Sequence, residues 1–379
     1  MSVGRCRAGR TPANMKKLKT QPKAEVQDNL RVNKSYDTIK LGIDWHARQY
    51  RVVRLIDNAG PEPAQRFSPE AFLVFARKQL GVAKAVYSCY EAGAGGFVLH
   101  RQLQALGVNN SVVHPRKLDR TNRRVQNDRL DARELALDLD RFVRGNQKAL
   151  RCVHVPTPEA ERLRQQSRQR QQLVAHRLRL AAQGRLLLLG QGWHCSNFWW
   201  KPRNWSGLAP QLPQWLCEAL EVYRRLIEAV NEQLRAITKT IAATAPAERP
   251  KGLGPLSFSQ ISREVCDWQR FKNRKALGSY AGLVGGVSSS GDYTQDLSLS
   301  KAGNRRLRTL LVEAAWRFVS HQVQSALIQK WRGVLLNPKA HKRVRKRAIV
   351  AVARLLLIDL WRWQTGSKSP QQLGWIMNH

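Results

Sequence analysis

Between Thr38 and Pro115 the apolar positions fall in short runs separated by turn residues, a pattern of strands alternating with helices. TIKLGID (38–44) and QYRVVRLID (49–57) are strand-like and joined by a short connection, which predicts an antiparallel hairpin. Ser68-Pro69-Glu70 predicts a helix running to about Leu80, with Ser68 as its cap and Pro69 in its first turn. KAVYSCYE (84–91) is the next strand. A glycine-rich turn follows it (Gly93, Gly95, Gly96), then a helix through Leu106 and the strand NNSVVHP, ending at Pro115. Residues 116–126 are basic and read as loop. From Asp128 the period changes to that of a helix, with Asn127 or Asp128 able to cap it and Ala132, Leu135, Ala136 and Leu139 on one face. Together these elements predict a mixed α/β sheet with helices on its faces.

The remainder is helical in pattern. Thr157-Pro158-Glu159 opens a long helix reaching about Leu189. In a second long helix Leu216, Leu220, Tyr223, Ile227, Val230, Leu234, Ile237 and Ile241 alternate steps of four and three, which is a heptad seam. We read the pair as a coiled-coil spacer serving oligomerisation, as a dimer or tetramer. Beyond Pro250 come KGLGPLSFSQI and a helix, a loop bearing Ser288, Ser289 and Ser290 before Gly291, an apolar helix after Asn304, and a last helix within Lys339 to Trp363. The expected divisions are a disordered basic arm (1–36), an α/β domain (37–150), the helical hairpin (151–247) and a mainly helical C-terminal domain (248–379).

Charge narrows the function. Lys and Arg number 65 against 27 Asp and Glu, a formal net charge of +38 in 379 residues, and a field of that sign calls for a polyanion such as DNA or RNA. An anionic membrane is the rival partner, but no apolar run approaches the roughly 20 residues of a span, and Ala348 to Trp361 is interrupted by Arg354 and Asp359. Six scattered cysteines without paired spacing, and a basic start with no apolar stretch after it, point to a reducing cytoplasm. The arm itself either touches nucleic acid or is a solvated tail.

Four acids carry the candidate chemistry. Asp128 and Asp131 are three apart on one helix and so share a side of it. Asp44 and Glu91 each close a strand, the end where open α/β sheets place their sites. Convergent carboxylates suit a hard divalent cation such as Mg²⁺; caps at strand ends and helix starts are the competing role.

Cations mark a second region. Lys301, Asn304, Arg305, Arg306 and Arg308 lie at the start of an apolar helix, a natural phosphate site. Lys342, Arg343, Arg345, Lys346 and Arg347 precede another, as a nucleic-acid contact or a solvated face. A serine on the glycine-flanked loop at 288–290 is either a nucleophile toward a phosphodiester or part of a flexible connection. GWHCSNFWWKPRNW (192–205) interleaves aromatics with cations, suited to base stacking or to a packed hairpin tip.

In this order GIDWH (42–46), YEAGAGGF (90–97), NDRLDARELA (127–136), the heptad spacer, SYAGLVGGVSSSG (279–291) and KAGNRRLRTLLVEAAW (301–316) resemble the DEDD transposases of bacterial insertion sequences, the Piv/MooV-like recombinases. The resemblance spans roughly residues 38–325. It implies an RNase H-like, RuvC-type N-terminal domain in which Asp44, Glu91, Asp128 and Asp131 bind Mg²⁺, and a C-terminal domain with a nucleophilic serine at Ser290, Ser289 being second. It further implies a covalent protein–DNA intermediate completed by the acids of another subunit, and a structured non-coding RNA, the bridge RNA, that selects DNA. Lys251-Gly252-Leu253-Gly254 departs from the Pro-Gly-Ile-Gly-like motif of the family. The competing expectations are a RuvC-like junction nuclease using water, and a binding protein on a retired nuclease fold.

Overall fold

Ile39 to Ile43 are buried without a break, which a strand achieves only when both faces of its sheet are covered. The computed structural model describes residues 35–115, 128–290 and 293–378, with backbone alone at 128–129, 287–290, 293–294 and 296–298. The basic arm, apart from residues 35 and 36, and the expected loop at 116–126 therefore lie outside the described residues. Contacts divide the chain into two units, ending at Val155 and beginning at Pro156.

The first unit is a five-stranded sheet of order β3-β2-β1-β4-β5. Strand β1 (Tyr36–Trp45) pairs antiparallel with β2 (Tyr50–Ile56), which pairs antiparallel with β3 (Gln65–Phe67). On its other side β1 runs parallel to β4 (Ala83–Glu91), itself parallel to β5 (Asn109–Val113). The expected strands and the hairpin are present; the three-residue β3 carried no sequence pattern long enough to be read. Helix α1 (Pro69–Val82) starts where the cap predicts, the Ser68 hydroxyl accepting from the Ala71 N–H. With α2 (Val98–Leu106) it covers one face, Phe72, Ala76, Leu99 and Leu103 packing on Ile39, Leu41 and Ile43. Helix α3 (Asp128–Val143) covers the other, Leu135 and Leu139 meeting Cys89, and Ala132 and Ala136 meeting Val53.

Side chains alternate along a strand, so Lys40, Gly42 and Asp44 all belong to the α3 face. Lys40 is 2% exposed, yet donates to the Asp57 carbonyl (2.6 Å) and pairs with Asp140 of α3 at 2.8 Å. Burial raises the Asp140 carboxyl, but hydrogen bonds from Lys40 and Arg144 outweigh it and hold the group below its ordinary value. This pair pins the C-terminal half of α3 to the sheet.

The second unit is mainly helical. Helix α4 (Pro158–Gly190), capped by Thr157, packs along α6 (Gln214–Ala242) after the short α5 (Pro202–Leu208). Leu216, Leu220, Ile227, Leu234 and Ile241 of the heptad pattern are buried, each contributing roughly 1.5–3 kcal/mol. At the tip Trp199 is buried, its indole N–H donating to the Ala181 carbonyl (2.9 Å), and its ring occupies the place a side chain at Gly184 would take. The central aromatic of 192–205 thus belongs to a packed tip, whereas Phe198 stays exposed beneath Lys201.

The short strand β6 (Arg249–Pro250) and helices α7 (Pro255–Val265) and α8 (Arg274–Ala281) follow. Strands β7 (Gly285–Ser290) and β8 (Tyr293–Leu299) then form an antiparallel hairpin. This corrects the expectation of a loop at the serines. Ser-Gly-Asp-Tyr between two β-type runs is a two-residue hairpin signal, and the register closes with Ser290 opposite Tyr293. Helix α9 (Arg305–His321), short α10 (Ala326–Gln329) and α11 (Arg332–Leu335), and α12 (Lys342–Gln364) complete the core, with β9 (Met377–Asn378) pairing back to β6. No helix among the described residues is long and apolar enough to cross a membrane.

Candidate active site

The register of the first unit brings two of the four acids together. Ile43 pairs with Tyr90 across the parallel strands, so the next residues, Asp44 and Glu91, are neighbours at the C-terminal ends of β1 and β4. Both belong to the α3 face, Asp44 two residues beyond Gly42 and Glu91 two beyond Cys89, whose thiol meets the Leu135 carbonyl.

Gly42 sets the height of the helix over them. A Cβ there would overlap the Ala132 carbonyl oxygen and the Ala136 nitrogen and stand 2.8 Å from Ala136 Cα, so α3 lies directly on the strand backbone. The contacts Lys40–Asp140 and Gly42–Ala136 show that α3 runs antiparallel to β1. From Gly42 to Asp44 the strand advances about 6.6 Å, which equals about four residues of helix. Starting from the Ala132–Ala136 level, that reaches the turn Asp128–Asp131, so the first turn of α3 is level with Asp44. Asp131 is exposed there, and Asp128 is the first residue of the helix.

His46, not singled out from the sequence, adds a nitrogen donor, its Nε2 3.4 Å from Asp44 Oδ2. The Trp45 ring takes the space a side chain at Gly95 would need, and the Tyr90 hydroxyl donates to the Gly96 carbonyl at 3.2 Å. Thus the glycine-rich turn after β4 is folded against the end of β1, and GIDWH and YEAGAGGF form one wall. Among the described residues no three His, Cys, Asp or Glu side chains form a metal-binding group on their own; the Asp128 side chain is outside that statement. The donor set suits a hard cation: two carboxylates on adjacent strand ends, backbone packed tightly enough to hold them, and a helix turn bearing two more acids at the same level.

In the second unit Ser288, Ser289 and Ser290 end β7 at the tip of the hairpin. The segment after it is anchored with unusual closeness. A Cβ on Gly303 would stand 2.5 Å from the Gly282 nitrogen and 2.6 Å from the Tyr280 carbonyl, and Lys301 sits in the left-handed region at φ 51. Arg308 donates to the carbonyls of Ala281 and Lys301, both at 3.1 Å. Asn304 turns inward. Its Oδ1 caps α9 by accepting from the Leu307 N–H, and its amide donates to Glu264 at 2.8 Å. Glu264, 2% exposed, also receives both arms of the Arg168 guanidinium at 3.1 Å, tying α4, α7 and the start of α9 into one network.

The other cations are distributed by role. Arg305 is exposed, and Arg306 donates to Gln171 of α4 at 2.7 Å. On α12, Lys342, Arg343, Lys346 and Arg347 are exposed, while the Arg345 guanidinium lies 6.0 Å above the Trp316 ring. No sequence pattern marks Glu264, a lone acid within SQISREV; only its burial shows its importance.

Comparison with known proteins accords with both units. A model of the IS116/IS110/IS902 transposase family matches residues 247–330. A Sinorhizobium fredii (strain NBRC 101917 / NGR234) protein named as transposase y4rJ is 33% identical over 302 residues, covering 72% of this chain and 75% of that one. The transposase for insertion sequence element IS1111A of Coxiella burnetii is 26% identical over 283 residues (72% and 75%), and that for IS1533 of Leptospira borgpetersenii 25% over 340 residues (82% and 95%). The chain belongs to the IS116/IS110/IS902 family of insertion-sequence transposases.

Proposed function

We propose that the chain cuts and rejoins the DNA of its insertion sequence through a serine-linked intermediate, with Asp44, Glu91, Asp128 and Asp131 as a Mg²⁺-binding quartet. The observation that carries this reading is the pairing of Asp44 with Glu91 at the ends of parallel strands, under a helix whose first turn brings two further acids to the same level. The sheet order β3-β2-β1-β4-β5, with three antiparallel strands continued by the parallel β4 and β5, supports an RNase H-like, RuvC-type fold for the first unit.

Bound Mg²⁺ would supply charge neutralisation at the scissile phosphate and a lower barrier to deprotonating a nucleophile. The protein's own residues do the rest. Gly42 and the Lys40–Asp140 pair keep α3 seated, so that the carboxylates need no reorganisation when substrate arrives. Ser290 Oγ forms a bond to phosphorus as the bond from phosphorus to a deoxyribose oxygen breaks, the serine proton passing to a carboxylate of the quartet in another copy and then to the released deoxyribose oxygen, which is left as a hydroxyl. One phosphodiester is exchanged for another, so rejoining requires no energy source. Lys301, Arg305 and Arg308 offset charge developing on the phosphate, and Asn304 and Glu264 hold the segment that presents them.

The buried heptad seam of α6 against α4 supports a helical-hairpin spacer within each copy; the contact that joins copies into a dimer or tetramer then falls to exposed apolar positions of the hairpin such as Val222 and Leu226, and the charge of +38 supports partnership with both DNA and a structured guide RNA. Testing this requires Mg²⁺, DNA spanning the element ends and RNA transcribed from its non-coding flank. Asp44→Asn and Glu91→Gln are expected to abolish strand cleavage while DNA retention at matched salt persists. Full cleavage by either variant would refute the acidic site.

A further inference from the structure

Beside the serine hairpin the second unit contains a cavity of about 940 Å³, bounded by α8, the base of β7–β8 and α12. That is the size of sites that enclose a small organic molecule, roughly 300–1,000 Å³. Its floor is aliphatic: Leu283, Val350, Ala351, Leu355 and Ile358. Around the floor stand Arg274, Lys275, Lys301, Lys346, Arg347 and Arg354, and the lining includes no Asp or Glu. Among the described residues none of these six cations is in an ion pair with a carboxylate.

The two chemistries are segregated, and that separation defines the occupant. An apolar floor within a ring of cations suits a ligand with a flat, weakly polar body and an anionic edge. Inorganic phosphate would leave the floor in water, and a fully paired duplex keeps its bases stacked where the floor cannot be reached. We propose that this cavity receives a single unstacked nucleotide of the DNA strand, its base on Val350, Ala351 and Leu355 and its flanking phosphates on Lys346, Arg347 and Arg274. The inference rests on the reading that this unit handles DNA.

Its position is informative as well. Gly285 and Leu299, which pair at the base of the hairpin, are part of the cavity wall. From Gly285 to Ser290 the strand covers about 17 Å, equivalent to about five base steps of stacked DNA. The cavity therefore fixes the strand within about five nucleotides of the phosphate that Ser290 would attack. The rim does not depend on a mobile segment, since Lys301 is locked by Arg308 and by the close approach of Gly303 to Gly282.

The test uses the full chain and three DNA duplexes: one with a single bulged 2-aminopurine, one with an abasic residue at the same bulge, and one fully paired. Wild type is expected to bind the bulged base roughly tenfold tighter than the abasic bulge, within the contribution of one base contact, with altered 2-aminopurine emission. Ala351→Phe fills the floor and is expected to erase that preference while leaving affinity for the paired duplex within about twofold. Val350→Phe provides the same test should Ala351→Phe fold poorly. Arg347→Gln is expected to weaken all three and lower the salt slope by about one. A base preference that survives both filled variants, the absence of any preference in wild type, or tighter binding of the same bulge in RNA would overturn the proposal and leave the DNA-handling reading intact. Failure of wild type to bind any of the duplexes would instead overturn both.

Discussion

Replacing Gly42 with alanine adds one methyl group at the place where α3 touches β1. The new carbon would stand 2.8 Å from Ala136 Cα and overlap the Ala132 carbonyl oxygen and the Ala136 nitrogen, all of them backbone that cannot rotate away. Ordinary contact begins near 3.4 Å, so α3 must retreat by at least about 0.6 Å, and the two deeper overlaps raise that toward about 1 Å. Overpacking of this kind costs about 1–3 kcal/mol, which a folded domain survives. The site suffers more, because α3 brings Asp128 and Asp131 to the level of Asp44 and Glu91. A misplacement of about 1 Å can lower a rate on the order of 100-fold. The assay measures Mg²⁺-dependent cleavage of element-end DNA together with the thermal midpoint and the Mg²⁺ dependence of rate. Gly42→Ala is expected to keep its fold, lose roughly 100-fold in rate and require more Mg²⁺. Unaltered rate and Mg²⁺ dependence in the folded variant would refute the argument that Gly42 sets the acid geometry.

Asp140→Ala strands the Lys40 ammonium in the interior and is expected to cost about 3–5 kcal/mol, read by urea denaturation; Lys40→Met with Asp140→Leu together should recover most of it. The Ser88 hydroxyl donates to Asn110 Oδ1 and the Asn110 amide contacts His100 Nδ1 at 2.8 Å, an arrangement that needs neutral imidazole. Burial, and secondarily Arg101, hold His100 below its ordinary value, so its contribution is complete above about pH 6.5 and is lost as pH falls through the lowered folded value. His100→Gln should flatten the thermal midpoint between pH 7 and pH 5. Glu264→Gln removes one charge from the Arg168 pair and is expected to lower stability by about 3 kcal/mol and to slow DNA cleavage, while Arg306→Ala, which removes only the exposed hydrogen bond from α9 to Gln171, should change the midpoint little.

Much of the first unit was legible because its strands are short apolar runs punctuated by glycine and proline, and because Ser68 and Pro69 announce a helix by mechanism. Asp44 and Glu91 stood out as acids ending such runs. What could not be read was the register that makes them neighbours, since pairing of β1 with β4 depends on contacts 47 positions apart in sequence. Gly42 was invisible for the same reason: a glycine inside a strand shows its purpose only when the helix above it is known. His46, beside Asp44, has no spacing that distinguishes it from a solvent-facing residue. In the serine segment three serines and a glycine suggest a flexible loop, whereas Gly291-Asp292 between β-type runs carries the hairpin signal. Glu264 and Asn304 became informative only through burial, which turns an ordinary acid and an ordinary cap into a network joining three helices.

The central claim is that a serine at the hairpin tip attacks DNA with help from the acidic quartet. It is tested most directly by trapping the reaction on labelled element-end DNA with Mg²⁺ and the flanking RNA, resolving it under denaturing conditions, and mapping any protein-linked nucleotide by mass spectrometry. The expected result is an adduct on Ser290 that disappears in Ser290→Ala and in Asp44→Ala and when the metal is chelated. Cleavage that persists in Ser290→Ala without any adduct would contradict it and identify water as the nucleophile.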